Sequence, residues 1–115
     1  FEAEEKVDSG DIYLRDTIQY NGRELIGELR ARLAEKTVDM CAEFVARYPH
    51  IVGEAVRQSG ESSYYRRRTP EDSRLDPHKS IVEQFNLLRV ADNDRYPCYF
   101  ELGGETFVLK IEKGS

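Results

Sequence analysis

From Arg23 onward apolar residues return with helical spacing. Leu25, Leu29 and Leu33 recur every four positions, flanked by Ile26, Val38, Cys41, Phe44 and Val45. Glu24, Glu28, Arg32, Glu35, Lys36 and Glu43 fall mostly between them. The pattern predicts one amphipathic helix over 22–47, with its apolar stripe in core contact, stopped at Tyr48-Pro49 by proline's bias against helix in the residue before it. Upstream, Asp11-Ile12-Tyr13-Leu14-Arg15 and Asp16-Thr17-Ile18-Gln19-Tyr20 are rich in β-formers. They lie between the turn signals Asp8-Ser9-Gly10 and Asn21-Gly22, and are expected as short strands or extended passes at one end of a sheet.

Downstream, residues 57–77 carry no sustained period. Gln58-Ser59-Gly60-Glu61-Ser62-Ser63 is loop chemistry, and Thr69-Pro70-Glu71-Asp72 predicts a capped helical turn. Asp76-Pro77 predicts an N-cap and first-position proline for a second helix over 78–91, with Ile81, Val82, Phe85 and Leu88 on one face. In the tail, Cys98, Phe100 and Leu102 alternate with Tyr99 and Glu101, and Phe107, Leu109 and Ile111 alternate with Val108, Lys110 and Glu112. Gly103-Gly104 between them makes this a hairpin with one apolar face. Two strands alone are marginal in water, so the hairpin is expected to pack on helix 78–91 or on another chain. The fold class is therefore α+β.

Composition narrows the function classes. The 115 residues allow one small domain or a piece of a larger one, and 39% apolar with 34% charged residues is a globular balance. No apolar run reaches the ~20 residues of a membrane span, and no secretory leader is visible, so a cytoplasmic location is expected. A net charge of −5 argues against non-specific nucleic-acid binding. Cys41 and Cys98 stand far apart, outside any CxxC and without acids or histidines at metal spacing. Both are expected to be reduced, buried and structural, with no metal bound.

Four motifs in order carry a resemblance. Val7-Asp8-Ser9-Gly10-Asp11-Ile12 resembles the Asp-(Ser/Thr/Ala)-Gly loop of enzymes that transfer a formyl group from 10-formyltetrahydrofolate. Arg66-Arg67-Arg68-Thr69-Pro70-Glu71-Asp72-Ser73 is similar to the Arg-Arg-Thr-Pro-(Glu/Asp)-Asp-Ser segment of members acting on amino sugars. Leu75-Asp76, Lys79-Ser80 and Asn86-Leu87-Leu88-Arg89 resemble the helix opening that family's C-terminal region, and Tyr96-Pro97 stands where members carry Trp-Pro or Tyr-Pro before a hairpin. The short tail looks more like nucleotide-sugar N-formyltransferases than methionyl-tRNA formyltransferases, which continue into a longer C-terminal barrel.

The resemblance implies the end of a Rossmann-like formyltransferase domain over 1–58, a linker loop over 59–77 and a helix-and-hairpin extension over 78–115. It implies 10-formyltetrahydrofolate as cofactor, met by Ser9 and Gly10, and a nucleotide-linked amino sugar as the amine substrate. A homodimer through the hairpin is expected from the hairpin's need for a partner, with no membrane, and nucleic acid only if the parent acts on transfer RNA. The family's Asn-x-His, on an earlier strand and loop, is missing from Phe1 onward, and His50 and His78 sit in unrelated contexts. The chain alone is therefore expected to be inactive. A non-catalytic dimerisation module is the competing reading, and a small RNA-binding domain led by the arginine tract is a third.

By resemblance Asp8 is the catalytic carboxylate, orienting the family's His and relaying protons as the amine loses them. On its residues alone, Asp8 reads first as the cap of a β-turn. Tyr64, Tyr65 and Arg67 are the candidate substrate contacts, since aromatics beside arginines stack on bases and pair with phosphates. On its residues alone, the tract reads first as a solvated surface loop, some of whose arginines pair with Glu61, Glu71 and Asp72.

Overall fold

A computed structural model describes residues 1–6 and 8–114; Val7 of the loop motif and the terminal Ser115 lie outside the described residues. The chain forms two compact units. One comprises Phe1–Gln19 and Ala31–Tyr64, the other Tyr20–Arg30 and Tyr65–Ser115. Helix α1 (Ile26–Arg47) contributes residues 26–30 to the second unit and 31–47 to the first.

In the first unit α1 stops at Arg47, before Pro49 as expected. Its apolar stripe is a correction: α1 contains no buried residue, and Val38 and Val45 are 67% and 72% exposed. The reason is a shortage of opposing surface. The helix meets Tyr13 edge-on through Phe44, ring centres 5.7 Å apart, and Tyr48 packs on Phe44 in turn. Cys41 lies on this open face and is exposed, which corrects its expected burial, while Cys98 is buried as expected. Ile51, in a 3₁₀ turn over His50–Glu54, is fully buried.

Residues 11–20 are extended passes rather than a strand pair. Among the described residues one antiparallel bridge joins Ile12 to Val56, with both N–H···O bonds at 2.7 Å. No ladder extends from it, so the Asp8-Ser9-Gly10 turn and the β-formers after it gave extension without a sheet.

The second unit has a definite core of Leu75, Leu88, Ala91 and Cys98, with Leu87, Phe100 and Ile111 packed against it. The hairpin β1 (Cys98–Leu102) and β2 (Glu105–Leu109) pairs Cys98 with Leu109 and Phe100 with Phe107. The two-residue turn is as predicted, with Gly103 at φ 61° and Gly104 at φ 80°, the positive values a primed hairpin turn demands. It packs on α2 (Ile81–Arg89), where the Cys98 thiol meets the Leu87 carbonyl at 3.7 Å.

Helix α2 is shorter than the predicted 78–91 because Ser80, not Asp76, caps it by accepting the Glu83 N–H at 3.1 Å. Asp76 instead closes a turn, accepting the His78 N–H, while the Gln84 side chain binds the Asp76 main chain on both sides. Leu88 is buried as its face predicts, whereas Ile81 and Val82 are exposed, a second correction to the apolar stripes. The capped turn at Pro70–Ser73 forms as expected, with Thr69 and Asp72 capping reciprocally.

Helix α1 also begins later than the predicted residue 22. The Glu24 carboxylate, 1% exposed, accepts the N–H groups of Asn21 and Gly22 at 2.8 and 3.0 Å and holds that stretch in a loop. Arg89 reaches the Glu24 carbonyl at 3.1 Å and its carboxylate at 3.9 Å. Among the described residues no helix is long and apolar enough to cross a membrane.

Candidate active site

The Asp8 loop is built from a short run of special backbone. Asp8 has φ 55°, in the left-handed region that aspartate tolerates better than most residues. The Ser9 hydroxyl donates to the Lys6 carbonyl at 2.8 Å and closes the turn. Gly10 is buried, and a Cβ there would stand 1.8 Å from the Glu2 carbonyl oxygen. Position 10 therefore has room for glycine alone. The Glu2 N–H continues the pairing by donating to Asp11 at 2.8 Å.

Across from this loop runs the segment after Val56. The Ile12–Val56 bridge aligns the two stretches, and the Gln58 side-chain amide donates to the Gly10 carbonyl at 2.6 Å. Between them opens a cavity of about 460 Å³, lined by Lys6, Asp8, Ser9 and Asp11 on one side and by residues 57–64 on the other. Its walls are polar, with cations from Lys6 and Arg57, carboxylates from Asp8, Asp11 and Glu61, and one aromatic ring from Tyr64. Such a lining suits a hydrogen-bonding, charge-bearing ligand.

Of the residues singled out in the sequence, the fold brings Asp8, Ser9 and Tyr64 around this cavity, with Gly10 buried in the loop behind it. Tyr65, fully exposed, and Arg67 belong to the other unit. Within that unit two arginines of the tract are engaged. Arg66 pairs with both carboxylate oxygens of Asp72, and Arg68 donates to the Ser73 hydroxyl at 3.2 Å. Ser73, itself buried, donates its hydroxyl to the Tyr96 carbonyl at 2.9 Å. The Arg66 pairing first, and the Thr69 N–H second, push the Asp72 carboxyl down to about 2. The expected pairing with Asp72 is thus present for Arg66.

Gln58 and Arg57 escaped the sequence reading because a Gln-Ser-Gly-Glu-Ser-Ser run looks like plain loop. The available signal was Val56, a β-former two residues before Gln58, placed to pair with an extended segment. Among the described residues no group of His, Cys, Asp or Glu is arranged to hold a metal ion.

Comparison with known proteins supports the formyltransferase class at a coarse level. The supporting relative is the methionyl-tRNA formyltransferase of Thermosipho melanesiensis, 30% identical over 92 residues. The alignment covers 80% of this chain and 29% of that enzyme, so the chain spans less than a third of its relative's length. No protein-family model matches the chain, and no solved structure matches it.

Proposed function

We propose that this chain is the C-terminal portion of a 10-formyltetrahydrofolate-dependent formyltransferase acting on a primary amine, comprising the end of a Rossmann-like domain and a helix-and-hairpin extension. The observation that carries the reading is the likeness to a formyltransferase across 92 residues, four-fifths of the chain. The cavity beside Asp8 supports it, because a carboxylate on the rim of a polar cleft is where an amine must give up a proton. The folate supplies the formyl group when bound. Of this chain's residues, Ser9 on the cavity wall would meet its reacting end, while Gly10, buried behind that wall, would shape the loop that presents it. The polar walls fit that end and the acceptor amine, whereas a flat pterin ring asks for apolar walls. Asp8 then holds the amine in place and accepts the proton that leaves its nitrogen, directly or through a histidine contributed by the rest of the enzyme.

For the acceptor, a nucleotide-linked amino sugar is supported by the Arg-Arg-Thr-Pro-Glu-Asp-Ser run, with Tyr64, Tyr65 and Arg67 as nucleotide contacts. An aminoacyl-transfer RNA is the second reading, favoured by the name of the relative. The test is tetrahydrofolate release from 10-formyltetrahydrofolate by the intact enzyme, with amino-sugar nucleotides in one arm and charged initiator transfer RNA in the other. Turnover in the first arm is expected. Turnover in the second alone would reassign the acceptor, and none in either would remove the formyl-transfer reading.

A further inference from the structure

We infer that Gln58 is a positioning residue for Asp8, an inference that rests on the formyltransferase reading above. The Gln58 amide donates to the Gly10 carbonyl at 2.6 Å across 48 residues of sequence, from a half-buried position. On its other side Gly10 lies against the Glu2 main chain so closely that no side chain fits. The end of the loop is thus gripped from two directions, and Asp8 stands only two residues away. Asp8 itself holds a left-handed conformation, uncommon for a residue other than glycine though tolerated by aspartate, which the contacts on either side help to keep. The Ser9 hydroxyl bond to Lys6 fixes one end of the turn, and Gln58 fixes the other. Both Gln58 and Asp8 face the same cavity. A carboxylate that must meet a reacting amine depends on placement, and a displacement of ~1 Å can cost ~10²-fold in rate.

Two variants of similar size separate this role from simple space-filling. Gln58→Met removes the donor, and Gln58→Glu replaces it with an acceptor facing the Gly10 carbonyl. In the intact enzyme both should lower kcat by ~10-fold or more while leaving the KM for the amine within about two-fold, the signature of lost transition-state placement. In the chain itself, the carbonyl carbon resonance of Gly10 should shift in both variants, while the Ile12 and Val56 amides stay protected from exchange. Should one variant fail to fold, the other and Gln58→Asn carry the measurement. Normal kcat in both variants of an active enzyme would overturn the role of Gln58 and leave formyl transfer standing. A raised KM at unchanged kcat would make Gln58 a substrate contact instead, also against the inference. No turnover by the unsubstituted enzyme with any acceptor removes the underlying reading, whatever the Gly10 resonance does.

Discussion

Asp8 and Asp72 are both exposed or half-exposed carboxylates, yet their surroundings set them different tasks. Asp8 lines a cavity from a left-handed turn position, so its proposed work is on a ligand. Asp8→Asn in the intact enzyme should lower kcat and kcat/KM together by ~10²-fold or more, since a neutral amide accepts no proton and positioned proton transfer contributes ~10²–10⁴-fold. The amide retains the shape and turn bonding of the acid, so thermal unfolding should barely move. A well-folded variant with near-normal kcat would leave Asp8 as a turn residue and nothing more. Asp72 works on the fold. Held at about 2 in the folded chain against an ordinary 3.8, it binds its proton less readily folded than unfolded. Its stabilising effect is therefore complete above the ordinary value, declines as pH falls, and is gone once pH passes below about 2. Urea midpoints of Asp72→Asn and the unsubstituted chain should differ near neutral pH and converge on acidification. A constant gap would show that Arg66 and Thr69 are not its source. The two sites also differed in legibility. Thr69 and Asp72 sit three residues apart, and their cap is written locally in the sequence. Gln58 and Gly10 are joined only by the fold, so no window of sequence contains both.

At the scale of elements, what local pattern determines was legible and what neighbours determine was not. The hairpin turn follows from Gly103-Gly104 because few other residues adopt positive φ twice in succession. Gly104→Ala should accordingly destabilise the second unit by about 1–2 kcal/mol, the usual cost of a left-handed alanine, although nothing within 4 Å obstructs the added methyl. Thermal unfolding measures this, and an unchanged midpoint would mean the turn has relaxed to another type. Helix ends were less legible. Both helices start later than their periodicity suggests, because Glu24 and Asp76 spend their carboxylates on turn N–H groups ahead of the first helical turn. The apolar stripes marked α1 and α2 correctly as helices, but the amount of each stripe that is covered depends on what lies opposite. For Leu88 that is the hairpin core, whereas Val38 and Val45 stay exposed among the described residues of the first unit.

Over the whole chain, apolar burial is unevenly shared. Among the described residues, the second unit has a connected cluster around Leu88 and Cys98, whereas the first unit contributes the buried apolar side chain of Ile51. Regions with few buried contacts open at lower free energy than cored ones. The first unit should thus exchange its amides faster than the second. The placement of the two thiols turns this contrast into a pair of chemical clocks. Cys41 faces outward on α1, while Cys98 lies at the centre of the second unit's core, where burial pushes its thiol up. An alkylating reagent at neutral pH should add to Cys41 at the rate of an unhindered thiol, and to Cys98 only during openings of the core. The ratio of the two rates, followed by mass spectrometry, would report the opening equilibrium of the second unit without any added label, and in urea the two should merge. Equal rates in native buffer would mean that the core around Cys98 is already open.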